Sequence, residues 1–305
     1  MRDVRVGLYE KALPSTLSIR EMLQATQQAE FDFLELSIDE TDARQRRLSW
    51  SAAERTELLG AMREVGLPIR TMCLSGHRKY PLGSHDETIR TRGMEIFEQA
   101  VELADDLGIR IIQLAGYDVY YEEGDERTRM LFEQNLRRCV IYAARYGVSL
   151  GFETMETPFM DTVAKAMRYV REINSPYLGI YPDLGNLTNA AKLYQTDLYQ
   201  DIAAGQGRIL AMHLKETSPA VYRDMRFGDG HVDFARGIEA AYAQGVRLFV
   251  AEYWHNGADN WRKELSALRA YIGQIIGTGA SIALPRHSIK RPVNDPPEII
   301  DIGIS

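Results

Sequence analysis

Residues 149–153 read SLGFE, a short run of small and apolar residues that stops on a carboxylate. The same design recurs downstream, where 178–183 reads LGIYPD and 248–252 reads LFVAE, and in 209–213, ILAMH, the run stops on an imidazole. Runs this short and this apolar are the pattern of strands buried on both faces of a parallel sheet. Upstream, Val4–Tyr9, Phe33–Ser37, Ile69–Leu74 and Ile111–Leu114 supply four more. Between the strands lie helical patterns, as in Thr88–Leu107, where Ile89, Ile96, Ala100, Leu103 and Leu107 recur near helical spacing. Gly66, Gly108, Gly147 and Gly245 each follow a helical pattern and precede a strand, the position where a left-handed residue ends a helix.

Eight strands alternating with helices leave a doubly wound sheet or a closed barrel. Eight units in about 275 residues fit a (β/α)8 TIM barrel, an α/β fold of one domain. No GxGxxG follows the first strand, which counts against dinucleotide binding. We therefore expect a single-domain barrel over residues 1–276. Residues 277–305 carry Pro285, Pro292, Pro296 and Pro297 and read as a Pro-rich C-terminal tail.

The 305 residues and 45% hydrophobic content are enough to bury a large core. A formal charge of −7 argues against nucleic acid as a partner, since phosphate-backbone binders present a basic face. Two cysteines, Cys73 and Cys139, are too few for a disulfide scaffold and indicate a reducing compartment. Neither an apolar leader nor a run of about 18 apolar residues is visible, so a cytoplasmic protein with no membrane partner is expected.

In a barrel the chemistry sits where the strands end. Four consecutive strands deliver Glu153, Asp183, His213 and Glu252 to one rim. Taken singly, a carboxylate after a strand is a helix cap or a solvated loop residue. Taken together, three carboxylates and an imidazole suit one divalent ion, Zn, Mn, Mg or Co. Without a cation, carboxylates crowded in a partly dry pocket would repel.

Further segments accompany these ligands: GLYEKALP (7–14), SGHRKYPLGS (75–84), GFETMETPFMD (151–161), YPDLGNL (181–187), HLKET (213–217) and FGDGHVDF (227–234). Each is weak alone. In this order they resemble the L-ribulose-5-phosphate 3-epimerase (L-xylulose-5-phosphate 3-epimerase) family of the xylose-isomerase-like barrel superfamily, whose relatives are often labelled hexulose-6-phosphate isomerases. The resemblance spans roughly residues 4–276 and does not reach the tail. It implies an isomerase that binds a metal through Glu153, Asp183, His213 and Glu252 and interconverts L-xylulose 5-phosphate and L-ribulose 5-phosphate. It also implies that Glu153 and Glu252 are the acid–base pair. Inverting C3 of a 2-ketose requires removal of the C3 proton, acidified by the C2 carbonyl, and return of a proton to the other face. Glutamates from strands three apart can flank a planar enediolate.

Other residues are read as substrate contacts, each beside a plainer role. Glu156 could bond a substrate hydroxyl, or be a first-turn carboxylate favoured by the helix dipole. Asn186 could touch the sugar or serve a turn. Lys215 could enter the rim or form an ion pair. For the phosphate, Lys11 after the first strand and His77, Arg78 and Ser84 after the third offer cations and helix N–H groups; the alternative is solvated surface charge. Arg226 opens a Gly-rich loop that could cover the substrate, or be an ordinary connection. Expected partners are thus a small phosphorylated ketopentose and a second copy of the chain as a homodimer. Rival readings are a ketose or hexulose-6-phosphate isomerase, a non-phosphorylated ketose 3-epimerase, an inosose dehydratase, a repair endonuclease and a non-catalytic sugar-phosphate sensor. A repair enzyme of this superfamily needs a histidine-rich multi-metal cluster, whereas this chain has six histidines with His213 at a clear ligand position.

Overall fold

Strand Phe33–Ile38 shows why the chain curls. Its alternate residues Leu34, Leu36 and Ile38 join the large apolar layer beneath the helices. Phe33 instead joins Tyr9, Cys73, Tyr181, Ala211 and Val250, a second cluster inside the sheet. Period-two alternation therefore separates two buried faces, and both must be covered. A Cβ on Gly7 would lie 2.3 Å from the Phe33 ring, so the first strand yields that space to an inward-pointing aromatic.

The computed structural model describes residues 3–278. Its strands are β1 (Arg5–Tyr9), β2 (Phe33–Ile38), β3 (Ile69–Leu74), β4 (Ile111–Leu114), β5 (Ser149–Phe152), β6 (Leu178–Ile180), β7 (Met212–Leu214) and β8 (Leu248–Ala251). All pair in parallel in the order β6-β5-β4-β3-β2-β1-β8-β7. The two ends of this sheet meet through isolated bridges, Ile180 with Ile209 and Asp183 with His213. Three backbone bonds close the barrel there: Ile180 N–H to Arg208 O at 2.9 Å, Leu210 N–H to Ile180 O at 2.8 Å and His213 N–H to Pro182 O at 2.9 Å.

The expected eight-stranded barrel is observed. β6 and β7 are shorter than the sequence suggests. Pro182 has no N–H to offer a ladder, and the Asp183 N–H is taken by the Thr154 hydroxyl at 3.0 Å. Gly66 and Gly108 end their helices in the left-handed conformation, at φ 73° and 74°. The helix N-termini are closed by capping boxes at Ser18 with Glu21 and Ser51 with Glu54. The last helix runs Trp261–Thr278, so the expected boundary after residue 276 falls inside its final turn. The rest of the expected tail, 279–305, lies outside the described residues. Among the described residues no helix is long and apolar enough to cross a membrane.

Candidate metal centre

Each of the four strand-end residues is pinned by its own backbone. Glu153 N–H donates to Leu114 O at 2.8 Å and Glu252 N–H to Leu214 O at 2.8 Å. His213 is tied by its N–H to Pro182 O, and Asp183 by its N–H to the Thr154 hydroxyl. Residues so fixed present their side chains with little freedom. One ligand atom from each of Glu153, Asp183, His213 and Glu252 lies within 4.8 Å of the others. Their exposures are 5%, 0%, 0% and 6%, so water does little to screen them.

His213 Nδ1 is 2.9 Å from Glu252 Oε2 and 3.8 Å from Glu153 Oε1. Lys215 Nζ lies 3.4 Å from Asp183 Oδ1 and 3.6 Å from Glu252 Oε2. Burial raises the Glu153 carboxyl, and the Glu252 charge adds to it. Burial also lifts Asp183 well above the usual carboxylate range, with Glu252 pushing the same way and Lys215 opposing. On Glu252 burial acts upward, but the Lys215 and His213 cations outweigh it and hold the carboxyl low. Burial disfavours charge on His213, yet Glu35 and Glu252 raise its imidazole well above its ordinary value.

The donor set fits a divalent ion on an independent ground. Asp183 caps the helix Leu184–Tyr194, its Oδ1 accepting the Asn186 N–H at 2.6 Å. Its other oxygen, Oδ2, is buried with no hydrogen-bond partner. A buried carboxylate oxygen left bare costs free energy unless a cation meets it. Three carboxylates and one imidazole around it match a hard or borderline divalent metal.

The xylose isomerase-like TIM barrel family model matches residues 23–271. The chain belongs to that family. Within it, the chain is 40% identical to the L-ribulose-5-phosphate 3-epimerase UlaE of Salmonella paratyphi A over 272 residues, 89% of this chain and 94% of that protein. It is 41% identical over the same span to the protein of that name from Salmonella typhimurium. Among solved structures, D-psicose 3-epimerase from Clostridium cellulolyticum H10 superposes with a TM-score of 0.74 at 15% identity, covering 89% of this chain and 99% of that one. The structure of an L-ribulose 3-epimerase gives 0.70 at 20% identity, covering 90% and 94%. At such identities the structural likeness speaks for the fold alone.

In this family member the remaining nominated residues are placed unevenly. Lys215 stands in the ligand group, with its ammonium 5.9 Å from the Trp254 ring centre. Asn186 is buried in the first turn of the helix that Asp183 caps, its amide donating to Thr154 O at 2.7 Å and its Oδ1 unpartnered. Glu156 takes the Tyr117 hydroxyl at 2.7 Å and the Tyr120 hydroxyl at 3.4 Å. Arg78 packs its guanidinium 4.9 Å from the Tyr120 ring centre and 5.9 Å from that of Tyr117, facing Glu156.

The residues nominated for the phosphate each have a partner within the fold. His77 points away from the ligand group: its Nε2–H donates to Gly93 O at 3.1 Å and its ring stacks on Phe97, both in the helix Glu87–Leu107. Ser84 is fully buried and its hydroxyl accepts the Asp86 N–H at 3.1 Å, just before that helix. The loop after β3 is thus used to dock a helix. Lys11 is paired with Asp39 at 2.8 Å, and Arg226 with Glu264 at 2.7 Å on the last helix.

Several neighbours join the site without a motif to announce them. Glu35, on β2, contacts His213 from below. Tyr117 and Tyr120, after β4, line the approach to Glu156. Arg223 lies 5.9 Å from the Trp254 ring centre. Glu216 is 1% exposed and accepts N–H groups from Gly228 at 2.7 Å and Val232 at 3.1 Å, ordering the Gly-rich loop. A signal for Glu35 existed, since an acid inside FLELSI is out of place in a strand buried on both faces.

Proposed function

We propose that the protein is a divalent-metal-dependent 3-epimerase interconverting L-xylulose 5-phosphate and L-ribulose 5-phosphate. The observation that carries the reading is the placement of Glu153 and Glu252 about one His213 nitrogen, in a chain 40% identical to L-ribulose-5-phosphate 3-epimerases. Glu153, Asp183, His213 and Glu252 would hold the ion. When bound, it supplies electrostatic stabilisation of the negative charge that develops on the substrate's C2 oxygen.

The chain's own residues move the protons. One glutamate accepts the C3 proton as that C–H bond breaks and its electron pair delocalises toward the C2 carbonyl. The other glutamate gives a proton to C3 from the opposite face, forming the new C–H bond. The two then stand in exchanged protonation states, reset by exchange with water or by the reverse reaction. Trp254, 6.1 Å from Tyr9 in an edge-on contact, walls the rim against water.

The test is incubation of each phosphorylated ketose in D2O with NMR of the product. Deuterium at C3 with interconversion of the two epimers is the expected outcome. Product without C3 deuterium, or an aldose product, would overturn the reading. One observation favours a non-phosphorylated ketose instead: of the residues nominated for the phosphate, Lys11 is already matched by Asp39, while His77 and Ser84 bond Gly93 O and the Asp86 N–H. Equal rates with L-ribulose and L-ribulose 5-phosphate would select that second reading.

A further inference from the structure

Beneath the ligand group a carboxylate lies inside the barrel with no role assigned so far. Glu35 sits in the middle of β2, on the same face as Phe33, and is 0% exposed. A carboxylate there is costly unless donors converge on it. Three do. Tyr181 Oη donates to its Oε2 at 2.7 Å from just past β6, and Thr71 Oγ1 donates to the same oxygen at 2.7 Å from β3. The third contact is His213 Nε2, 2.6 Å from Oε1, reached from β7. Four separate segments of the barrel therefore spend interior polar groups on this one point.

The chemistry of the contact fixes the ring. A carboxylate offers only acceptors, so His213 Nε2 must carry the proton that lies between them. The other nitrogen, Nδ1, is the one that faces Glu252 and Glu153, at 2.9 Å and 3.8 Å. A metal-ligating imidazole needs a free lone pair toward the ion and gains basicity when its far N–H is held by a carboxylate.

We propose that Glu35 is the positioning residue of the metal centre: it holds the His213 ring with Nε2–H turned inward and presents Nδ1 as the ligand atom. Tyr181 and Thr71 in turn hold Glu35, so the ring orientation is set by a chain of side chains reaching across the barrel interior. This rests on the metal reading of the four ligands, but not on the identity of the sugar.

The experiment titrates Mn2+ into metal-stripped wild-type, Glu35→Gln, Glu35→Asp and Tyr181→Phe proteins by calorimetry, with circular dichroism as the control for folding. Glu35→Gln should weaken Mn2+ binding by about 10- to 100-fold, Glu35→Asp should recover part of that loss, and Tyr181→Phe should cost less than Glu35→Gln. Folded Glu35→Gln protein with wild-type Mn2+ affinity would overturn the proposal. Wild-type protein that binds no Mn2+ would instead overturn the metal reading itself. Should Glu35→Gln fail to fold, the zinc-loaded wild-type protein decides by 15N–1H correlation of the histidine rings. A proton on His213 Nε2 supports the assignment, and a proton on Nδ1 ends it.

Discussion

Glu153 and Glu252 share a rim, a burial and a histidine, yet their surroundings push them apart, one up and the other down. The exchange of proton-transfer roles proposed for them predicts a shared sensitivity. Glu153→Gln and Glu252→Gln should each keep the barrel's circular dichroism and lower kcat by at least about 100-fold. Near-normal turnover in either variant would remove that residue from the reaction. A second residue-scale prediction concerns His77. Burial against the helix Glu87–Leu107 drops its imidazole from 6.5 to about 4. The folded state therefore binds fewer protons than the unfolded chain between those values, and stability falls as pH falls through that window. Chemical unfolding at about pH 7 and pH 5 should differ by about 2 kcal/mol from this ring alone. His77→Gln should remove that part of the acid sensitivity, and an unchanged difference would refute the assignment. The contrast between His77 and His213 shows what the sequence disclosed. His213 closes an apolar strand, so periodicity alone aims it at the rim. The direction of His77 depends on a helix whose Gly93 lets the backbone of Tyr80 approach, since a Cβ there would meet Tyr80 O at 2.4 Å. No local pattern announces that packing.

Among the elements, the turn leaving β4 shows how closely strand ends are fitted together. A Cβ on Gly116 would lie 2.4 Å from Glu153 O and 3.0 Å from Met160 Cβ. Gly116→Ala must therefore shift the end of β5 that carries Glu153. It should destabilise the protein by about 1–3 kcal/mol and weaken metal binding. Gly60, within the helix Ala52–Val65, meets nothing within 4 Å. Gly60→Ala should be neutral or stabilise by up to about 1 kcal/mol. Thermal unfolding of the two variants side by side checks both, and the reverse ranking would show the strand end to be loosely held. Element identity was largely legible here, because eight short apolar runs and their closing glycines follow local rules. The extents of β6 and β7 were not. Pro182 and the Thr154 hydroxyl end the pairing, and the second of these is a contact between distant parts of the chain.

On the scale of the whole molecule, the eight strands are not joined equally. Seven neighbouring pairs share ladders, that of β2 and β3 with a register shift between Leu34 and Glu35, while β6 and β7 meet through isolated bridges. Glu153 and Asp183 approach the ligand group from one side of that seam, His213 and Glu252 from the other. An ion gripped by all four would act as a clasp on the barrel's weakest join. Metal at about 100 times its Kd should add about 2.7 kcal/mol to folding stability, read as a rise in Tm that a chelator reverses. The added protection should also be local. In chelator-treated protein the amide hydrogens of Ile180, Leu210 and His213 should exchange with solvent early, while those of β2 and β3 stay slow. The same cation that readies the rim for chemistry would then decide where the cylinder first breathes open, making metal starvation visible as a zip that loosens along one line.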